Sequence, residues 1–303
     1  MDVVISGSSG LIGEALQTAL AERGHTAVPL VRRRVEPGER AISWDPAGGT
    51  IDHHGLEGVD AVVHLAGESI ASSRWTDEQK AKILDSRTRS TALLAEALVG
   101  LDAPPSVLIS ASGINYYGDR GDEVLTEDSG PGDDFLADVC MRWEASSQLA
   151  AAGGIRTVNI RTGIVLDARQ GALARQLLPF KLGVGGRLGS GRQWQSWISL
   201  ADVVGAILHL VERDEVTGPV NLTAPEPVTN AEFTKTLGRV LRRPTLVPIP
   251  TFAPALLFGR ELVEALLLVS LRVHPTALLA SGYTFRHTHL EPALRDILDK
   301  PAR

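Results

Sequence analysis

Three glycines near the front of the chain are the first residues whose spacing could do chemistry. Residues 1–13 read Met-Asp-Val-Val-Ile-Ser-Gly-Ser-Ser-Gly-Leu-Ile-Gly, an apolar run that opens into Gly7, Gly10 and Gly13. A glycine turn lets backbone N–H groups come close to an anion, and the start of a following helix adds a favourable partial charge. The anion this suits is a pyrophosphate, cradled by Gly7, Ser8, Ser9, Gly10, Leu11, Ile12 and Gly13. The spacing is G-x-x-G-x-x-G rather than G-x-G-x-x-G, and a tight strand–helix turn without a ligand would use the same glycines. Position favours the dinucleotide, because a clear strand precedes the turn and a clear helix follows it.

The flanking elements are legible. Val3-Val4-Ile5 suits a strand covered on both faces, where a continuous apolar run is allowed. Leu11, Ile12, Ala15, Leu16, Ala19 and Leu20 have helical spacing, and Gly24 ends that helix. Gly13 lets helix and sheet pack closely. The next strand, Thr26 to Val31, runs into Arg32-Arg33-Arg34. A site that prefers NAD carries an acid about 20 residues after the glycine turn, but no acid stands here before Glu36. A guanidinium instead grips a ribose 2′-phosphate with parallel hydrogen bonds. NADP(H) is therefore expected over NAD(H), with Arg32 and Arg33 as contacts; the alternative is a solvated basic turn.

Further elements bring more residues to the same edge. Ala61 to Leu65 reads as a strand, and Leu65, Ala66, Gly67 and Glu68 at its carboxyl end leave room for the cofactor. Thr76 and Gln79 form a capping box before a helix running to about Leu101. Its apolar positions Ile83, Leu84, Leu94 and Leu98 face the sheet, while the cations Lys82 and Arg87 face either the cofactor or solvent. Ser110 and Ala111 end the strand that begins at Ser106. Arg161 leaves the strand Arg156 to Ile160, where it could meet a phosphate or a substrate anion. Leu173 to Lys181 is helical, and the glycines between Gly183 and Gly191 suggest a flexible segment lining a substrate cleft. Trp194 and Trp197 either wall a pocket or anchor their loop. Ser199 caps a helix to Val211, Gly218 to Leu222 is a strand, and Thr229 with Glu232 opens a helix to about Leu241. A last strand is expected at Tyr283 to Arg286. His53-His54 and His287-Thr288-His289 lack a carboxylate or thiol at metal-binding spacing, so no metal is expected.

Composition bounds the rest. The 303 residues allow one large α/β unit and a smaller one, with 44% hydrophobic and 22% charged residues. A net charge of −6 argues against a general nucleic-acid binder. Cys140 is the single cysteine, which excludes an intrachain disulfide and a thiolate metal cluster. Met1 leads directly into the first strand with no signal peptide, so a cytoplasmic location is expected. Pro254 to Val273 is apolar but interrupted by Arg260, Glu261 and Glu264, and reads as a docking helix rather than a membrane span.

Four stretches carry a resemblance: His64-Leu65-Ala66-Gly67-Glu68 with Arg74-Trp75-Thr76; Ser110 to Gly118 with Gly121-Asp122-Glu123; Arg161 to Leu166; and Gly185-Gly186 through Trp197-Ile198. Across essentially its whole length the chain resembles the extended short-chain dehydrogenase/reductases. Within them it is most similar to the atypical epimerase-family group, predicted nucleoside-diphosphate-sugar epimerases with a C-terminal domain of unknown function. The resemblance implies a Rossmann-type doubly wound parallel α/β sheet. It would place an NADP domain over residues 1–180, completed by 218–223, and a smaller, mostly helical substrate-side domain over 181–303. In typical members a Ser or Thr after the strand binds the reacting group, the place Ser112 matches. A Tyr with a Lys four residues on then moves the proton, on a helix that should begin near Asp134. Residues 134–144 read Asp-Phe-Leu-Ala-Asp-Val-Cys-Met-Arg-Trp-Glu, with neither Tyr nor Lys. Tyr116 or Tyr117, water or the substrate would have to replace the pair; the two tyrosines could equally be pocket packing. Two readings follow. One is an NADP(H)-dependent oxidoreductase or epimerase-like enzyme, with Ser112 polarising a carbonyl of a small-molecule substrate. The other is a catalytically degenerate NADPH-binding regulator that senses redox state. Neither calls for a nucleic-acid or membrane partner, and the chain is expected as a monomer or homodimer.

Overall fold

Val3, Val4 and Ile5 are fully buried because the strand they form is covered by helices on both faces. The computed structural model describes residues 1–300. Its strands are β1 (Asp2–Ser6), β2 (Thr26–Val31), β3 (Ile42–Asp45), β4 (Thr50–Ile51), β5 (Ala61–His64), β6 (Val107–Gly113), β7 (Val124–Leu125), β8 (Arg156–Thr162), β9 (Ile164–Leu166), β10 (Trp194–Gln195), β11 (Trp197–Ser199), β12 (Gly218–Leu222), β13 (Val228–Thr229) and β14 (Arg272–Val273). The helices are α1 (Leu11–Glu22), α2 (His53–Leu56), α3 (Asp77–Val99), α4 (Phe135–Ser146), α5 (Gln148–Ala152), α6 (Gly171–Lys181), α7 (Leu200–Glu212), α8 (Asn230–Leu241), α9 (Phe252–Phe258), α10 (Arg260–Val263), α11 (Thr276–Ala280) and α12 (Leu290–Ile297).

The main sheet has eight strands in the order β12-β8-β6-β5-β1-β2-β3-β4. Every neighbouring pair is parallel except β3 with β4. The alternation of a pleated strand divides the core in two. Val3, Ile5, Val63, Ile109 and Ile160 pack under α1 and α7, while Val4, Val62 and Leu108 pack under α3 and α5. The sequence-expected return of residues 218–222 is present: β12 closes the sheet beside β8.

Register decides what reaches the carboxyl edge. Ser112 pairs with Arg161, and Arg161 with Asn221, so three polar residues cross the top of β6, β8 and β12 in one row. Two residues lower, Ser6, His64, Ser110 and Asn159 form a second polar row, each buried. Residues after β8 build a separate core from Leu166, Phe180, Trp197, Phe233, Leu237 and Leu294.

One expected element is absent. Tyr283 to Arg286 is irregular, because the backbone N–H groups of Arg286 and His287 donate to the buried Asp202 carboxylate, at 2.7 and 3.1 Å, instead of to a strand neighbour.

Candidate functional site

The glycine turn has the shape the spacing implied. Gly7 adopts φ +68, and a Cβ there would lie 3.0 Å from the Leu65 carbonyl carbon. A Cβ on Gly13 would overlap the Gly7 carbonyl oxygen, so α1 can sit this close to β1 only as glycine. Gly10 is the N-cap and supplies no side-chain bond to the first turn. The leading N–H groups of α1, at Leu11 and Ile12, thus open toward the turn, where Ser9 and Gly10 are exposed. Arg32 and Arg33 both stand exposed just past β2. They differ in one respect. Arg33 pairs with Glu39, which pushes the Glu39 carboxyl down to about 2, whereas Arg32 has no ion pair among the described residues.

A buried chain positions the next contact segment. Ser6 Oγ accepts from the N–H groups of Leu65 and Ala66, at 3.0 and 3.1 Å, leaving its proton for His64 Nδ1 at 2.7 Å. Ser90 donates to the Ser86 carbonyl, so His64 Nε2–H donates to Ser90 Oγ at 3.2 Å. This assigns the neutral tautomer, and burial lowers the His64 pKa to about 4. Leu65 and Ala66 are half-buried, and Gly67 and Glu68 exposed. Arg87 donates to the carbonyls of Glu68 and Ile83 and lies 4.9 Å from the Trp143 ring, and burial lowers its pKa. Lys82 turns elsewhere: it pairs with Glu78 on the exposed face of α3.

At the end of β6, Ala111 is half-buried, while Ser110 Oγ is enclosed with no hydrogen-bond partner. Ser112 Oγ donates to Glu144 Oε1 at 2.7 Å. Glu144 also receives Arg161 Nε and Nη2, both at 2.8 Å. Arg161 Nη1 donates to the Tyr117 hydroxyl at 3.0 Å, and Tyr117 donates to Asn221 Oδ1 at 2.7 Å. Burial opposes the charge on Arg161, but Glu144 more than offsets it and raises the pKa above the ordinary arginine value.

This network corrects three expectations. Arg161 does not reach out to a phosphate: its side chain is 3% exposed and its donors are consumed inside the protein. Tyr117 is fully buried, and burial lifts its pKa to about 12, so it stays a neutral phenol bonded within the fold. Ser112 does not direct its proton outward to a carbonyl, because its hydroxyl donates to Glu144. Tyr116, half-buried, covers the Arg161 guanidinium at 3.4 Å from ring to Cζ.

The helix expected near Asp134 is α4, with Asp134 as its N-cap. Its face toward Ser112 and Gly113 carries Cys140 and Glu144, four residues apart. The spacing matches the family's proton-moving pair; the residue types do not. Cys140 is buried, which raises its thiol to about 11. Glu144 is the centre of this network that a search for Tyr and Lys passes over.

The tryptophans divide. Trp197 is fully buried in the C-terminal core and donates to the Glu226 carbonyl, so it anchors the fold and lines no pocket. Trp194 donates to Asp122 Oδ1 at 2.8 Å, with Arg272 over its ring. The glycine-rich segment is held as well, since Gly189 N–H donates to the Ile249 carbonyl and Ile249 N–H to that of Arg187. Among the described residues no group of His, Cys, Asp and Glu is arranged to hold a metal, and no helix is long and apolar enough to cross a membrane.

Residues 3–222 match the NAD dependent epimerase/dehydratase family, and residues 249–297 match a domain of unknown function, DUF1731. An epimerase family protein of Mycobacterium tuberculosis is 43% identical, covering 99% of this chain and 98% of that protein. Human epimerase family protein SDR39U1 is 38% identical, covering 98% of this chain and all of that protein. The crystal structure of human SDR39U1 (isoform 2) with NADPH superposes with TM-score 0.90 over 99% of both chains, at 36% identity. Thermus thermophilus UDP-glucose 4-epimerase with NAD shares the fold at TM-score 0.73 and 20% identity, covering 99% of this chain and 98% of that one. With its sheet, glycine turn and C-terminal domain all matched, the chain belongs to the NAD dependent epimerase/dehydratase family.

Proposed function

We propose that the chain binds NADP(H) in the β1–α1 turn and acts as an NADP(H)-dependent oxidoreductase or epimerase-like enzyme on a small molecule that meets Ser112. The cofactor domain would comprise residues 1–180 with β12, and the substrate side the remainder of 181–303. The close packing of the turn, which a Cβ at Gly7 or Gly13 would prevent, the uncapped first turn of α1 and the NADPH in the human relative's crystal all support the dinucleotide. Leu11 and Ile12 would offer N–H groups to the pyrophosphate, and Arg32 its guanidinium to the 2′-phosphate. Leu65 to Glu68, with Ala111 and Arg87, would border the rest. When bound, the nicotinamide supplies hydride chemistry.

The observation that carries the enzyme reading is the hydrogen bond from Ser112 Oγ to Glu144 Oε1. Because the serine proton is given to Glu144, Ser112 Oγ can offer a substrate only lone pairs, which favours a substrate hydroxyl over a carbonyl. The same bond gives that hydroxyl's proton a route. It passes to Ser112 Oγ while the serine proton passes to Glu144, leaving the serine unchanged and the proton on the carboxylate. The reverse sequence returns a proton to an alkoxide. Arg161 fixes Glu144 in place through two parallel bonds, so the route does the work of the missing Tyr and Lys. A redox-sensing regulator would have no use for it.

The test begins with calorimetry of NADPH, NADP⁺ and NADH, followed by a panel of alcohols and carbonyl compounds monitored by NADPH absorbance. The reading expects tight NADPH binding and turnover that Ser112→Ala removes without changing NADPH affinity. Tight binding with no turnover across the panel would transfer the case to the regulator, and no dinucleotide binding would overturn both.

A further inference from the structure

The end of α6 and the segment after α8 run side by side. Arg243 Nε donates to the Lys181 carbonyl at 2.8 Å, Pro244 lies against Gly183, and Leu188 pairs with Ile249 as a β-bridge. Along this seam and into α9, Leu182, Val184, Leu246, Val247, Phe252 and Leu256 are 63–88% exposed. Single exposed apolar residues are ordinary; this many on adjoining segments mark a surface that meets something apolar.

Charge narrows the partner. From Ala168 to Ala201 and from Phe233 to Arg260 there is no Asp or Glu, yet these two segments hold ten of the chain's thirty Lys and Arg. The whole chain carries −6, so the cations are concentrated here against its overall sign. Of the ten, Arg169, Arg239 and Arg260 are ion-paired, and the other seven have no carboxylate partner among the described residues.

We propose that this face docks on an anionic phospholipid surface. Apolar side chains beside unpaired cations are what such a surface recognises, the first entering the acyl boundary and the second meeting the headgroups. A second copy of the same face would oppose like charges, which disfavours self-association. At seven residues α9 is too short to cross a bilayer, so it would lie along the interface. The location gives the protein access to bilayer-dissolved compounds, and it holds whether or not the Ser112 site is catalytic.

Flotation with vesicles tests it. At low salt the protein should float with phosphatidylcholine vesicles containing a quarter phosphatidylglycerol, should stay behind with pure phosphatidylcholine, and should be released by molar salt. Lys181→Gln with Arg242→Gln should weaken partitioning about twenty-fivefold, since one cation at such a surface is worth roughly fivefold. Leu182→Asp with Leu256→Asp should remove it, leaving the circular dichroism spectrum and melting temperature unchanged. No flotation on anionic vesicles, or equal flotation on both compositions, would overturn the proposal. So would a solution dimer that Leu182→Asp dissociates, or capture by an acidic polypeptide without lipid binding.

Discussion

Acidification gives a sharp test of the buried chain beneath the cofactor edge. His64 is fully buried, accepts a hydrogen bond from Ser6 and donates one to Ser90, and burial lowers its pKa from 6.5 to about 4. Because the folded pKa is depressed, the unfolded chain binds more protons at intermediate pH. The folded state therefore keeps its full advantage above 6.5 and loses it as pH falls toward 4. At 1.36 kcal/mol for each pKa unit, the loss between pH 7 and pH 5 is about 2 kcal/mol, rising to about 3 by pH 4. Carboxylates also titrate in this range, so the measurement is a difference. Urea unfolding of the wild type and of His64→Asn at pH 7 and pH 5 cancels the shared groups. Asn keeps an acceptor for the Ser6 hydroxyl and cannot be protonated here. The stability of the wild type should fall about 2 kcal/mol further than that of the variant over this interval. Equal losses would mean that His64 takes up its proton in the folded state as readily as in the unfolded one, and the assigned tautomer would fail with it.

Three further outcomes follow from the geometry. Glu144→Gln should cost about 3–5 kcal/mol in chemical unfolding, because it leaves the Arg161 guanidinium buried without its anion; a Glu144→Leu, Arg161→Met double variant should recover most of that, and a smaller single loss would show the pair to be solvated. Arg32→Asp should weaken NADPH binding by at least tenfold more than NADH binding, and Arg33→Asp should discriminate less, because Arg33 is engaged by Glu39; calorimetry showing equal losses for both nucleotides would remove Arg32 from the phosphate. Gly13→Ala should lower stability by about 1–3 kcal/mol through overpacking and weaken NADPH and NADH binding together, since its Cβ would displace α1 from the Gly7 carbonyl; a variant that binds both normally would separate the turn from the cofactor.

What the sequence revealed and what it hid divide by the reach of the interactions. The glycine turn and the caps at Thr76, Asp134, Ser199 and Thr229 are local, each set by residues within four positions, and each stands where its residue types place it. Alternating or continuous apolar runs located the strands of the main sheet for the same reason. The missed features depend on partners far along the chain. The strand expected at Tyr283 to Arg286 fails because Asp202, more than eighty residues earlier, captures its N–H groups. Trp197 reads as a large ring with no neighbour to say which way it faces, and the core between α6 and α8 takes it. Arg161 reads as a cation on the sheet edge, and nothing adjacent announces that Glu144 will meet it.

The α4 helix shows where composition misleads most. Reading residues 134–144 for Tyr and Lys returns an absence, which suggests lost chemistry. Helical geometry asks a different question, namely which side chains share the face toward Ser112. Positions four apart stack on one face, and here those positions are Cys140 and Glu144, one a buried neutral thiol and the other a carboxylate that accepts the serine's hydrogen bond. A phenol steadied by an ammonium group and a carboxylate steadied by a guanidinium are different acids and bases. The acceptor in this chain stands at the carboxyl edge of the main sheet, beside the end of β6. On the reading proposed above, the departure from the family's pair is a change of proton chemistry at Ser112, with the acceptor one hydrogen bond removed from a substrate hydroxyl, rather than a site emptied of function.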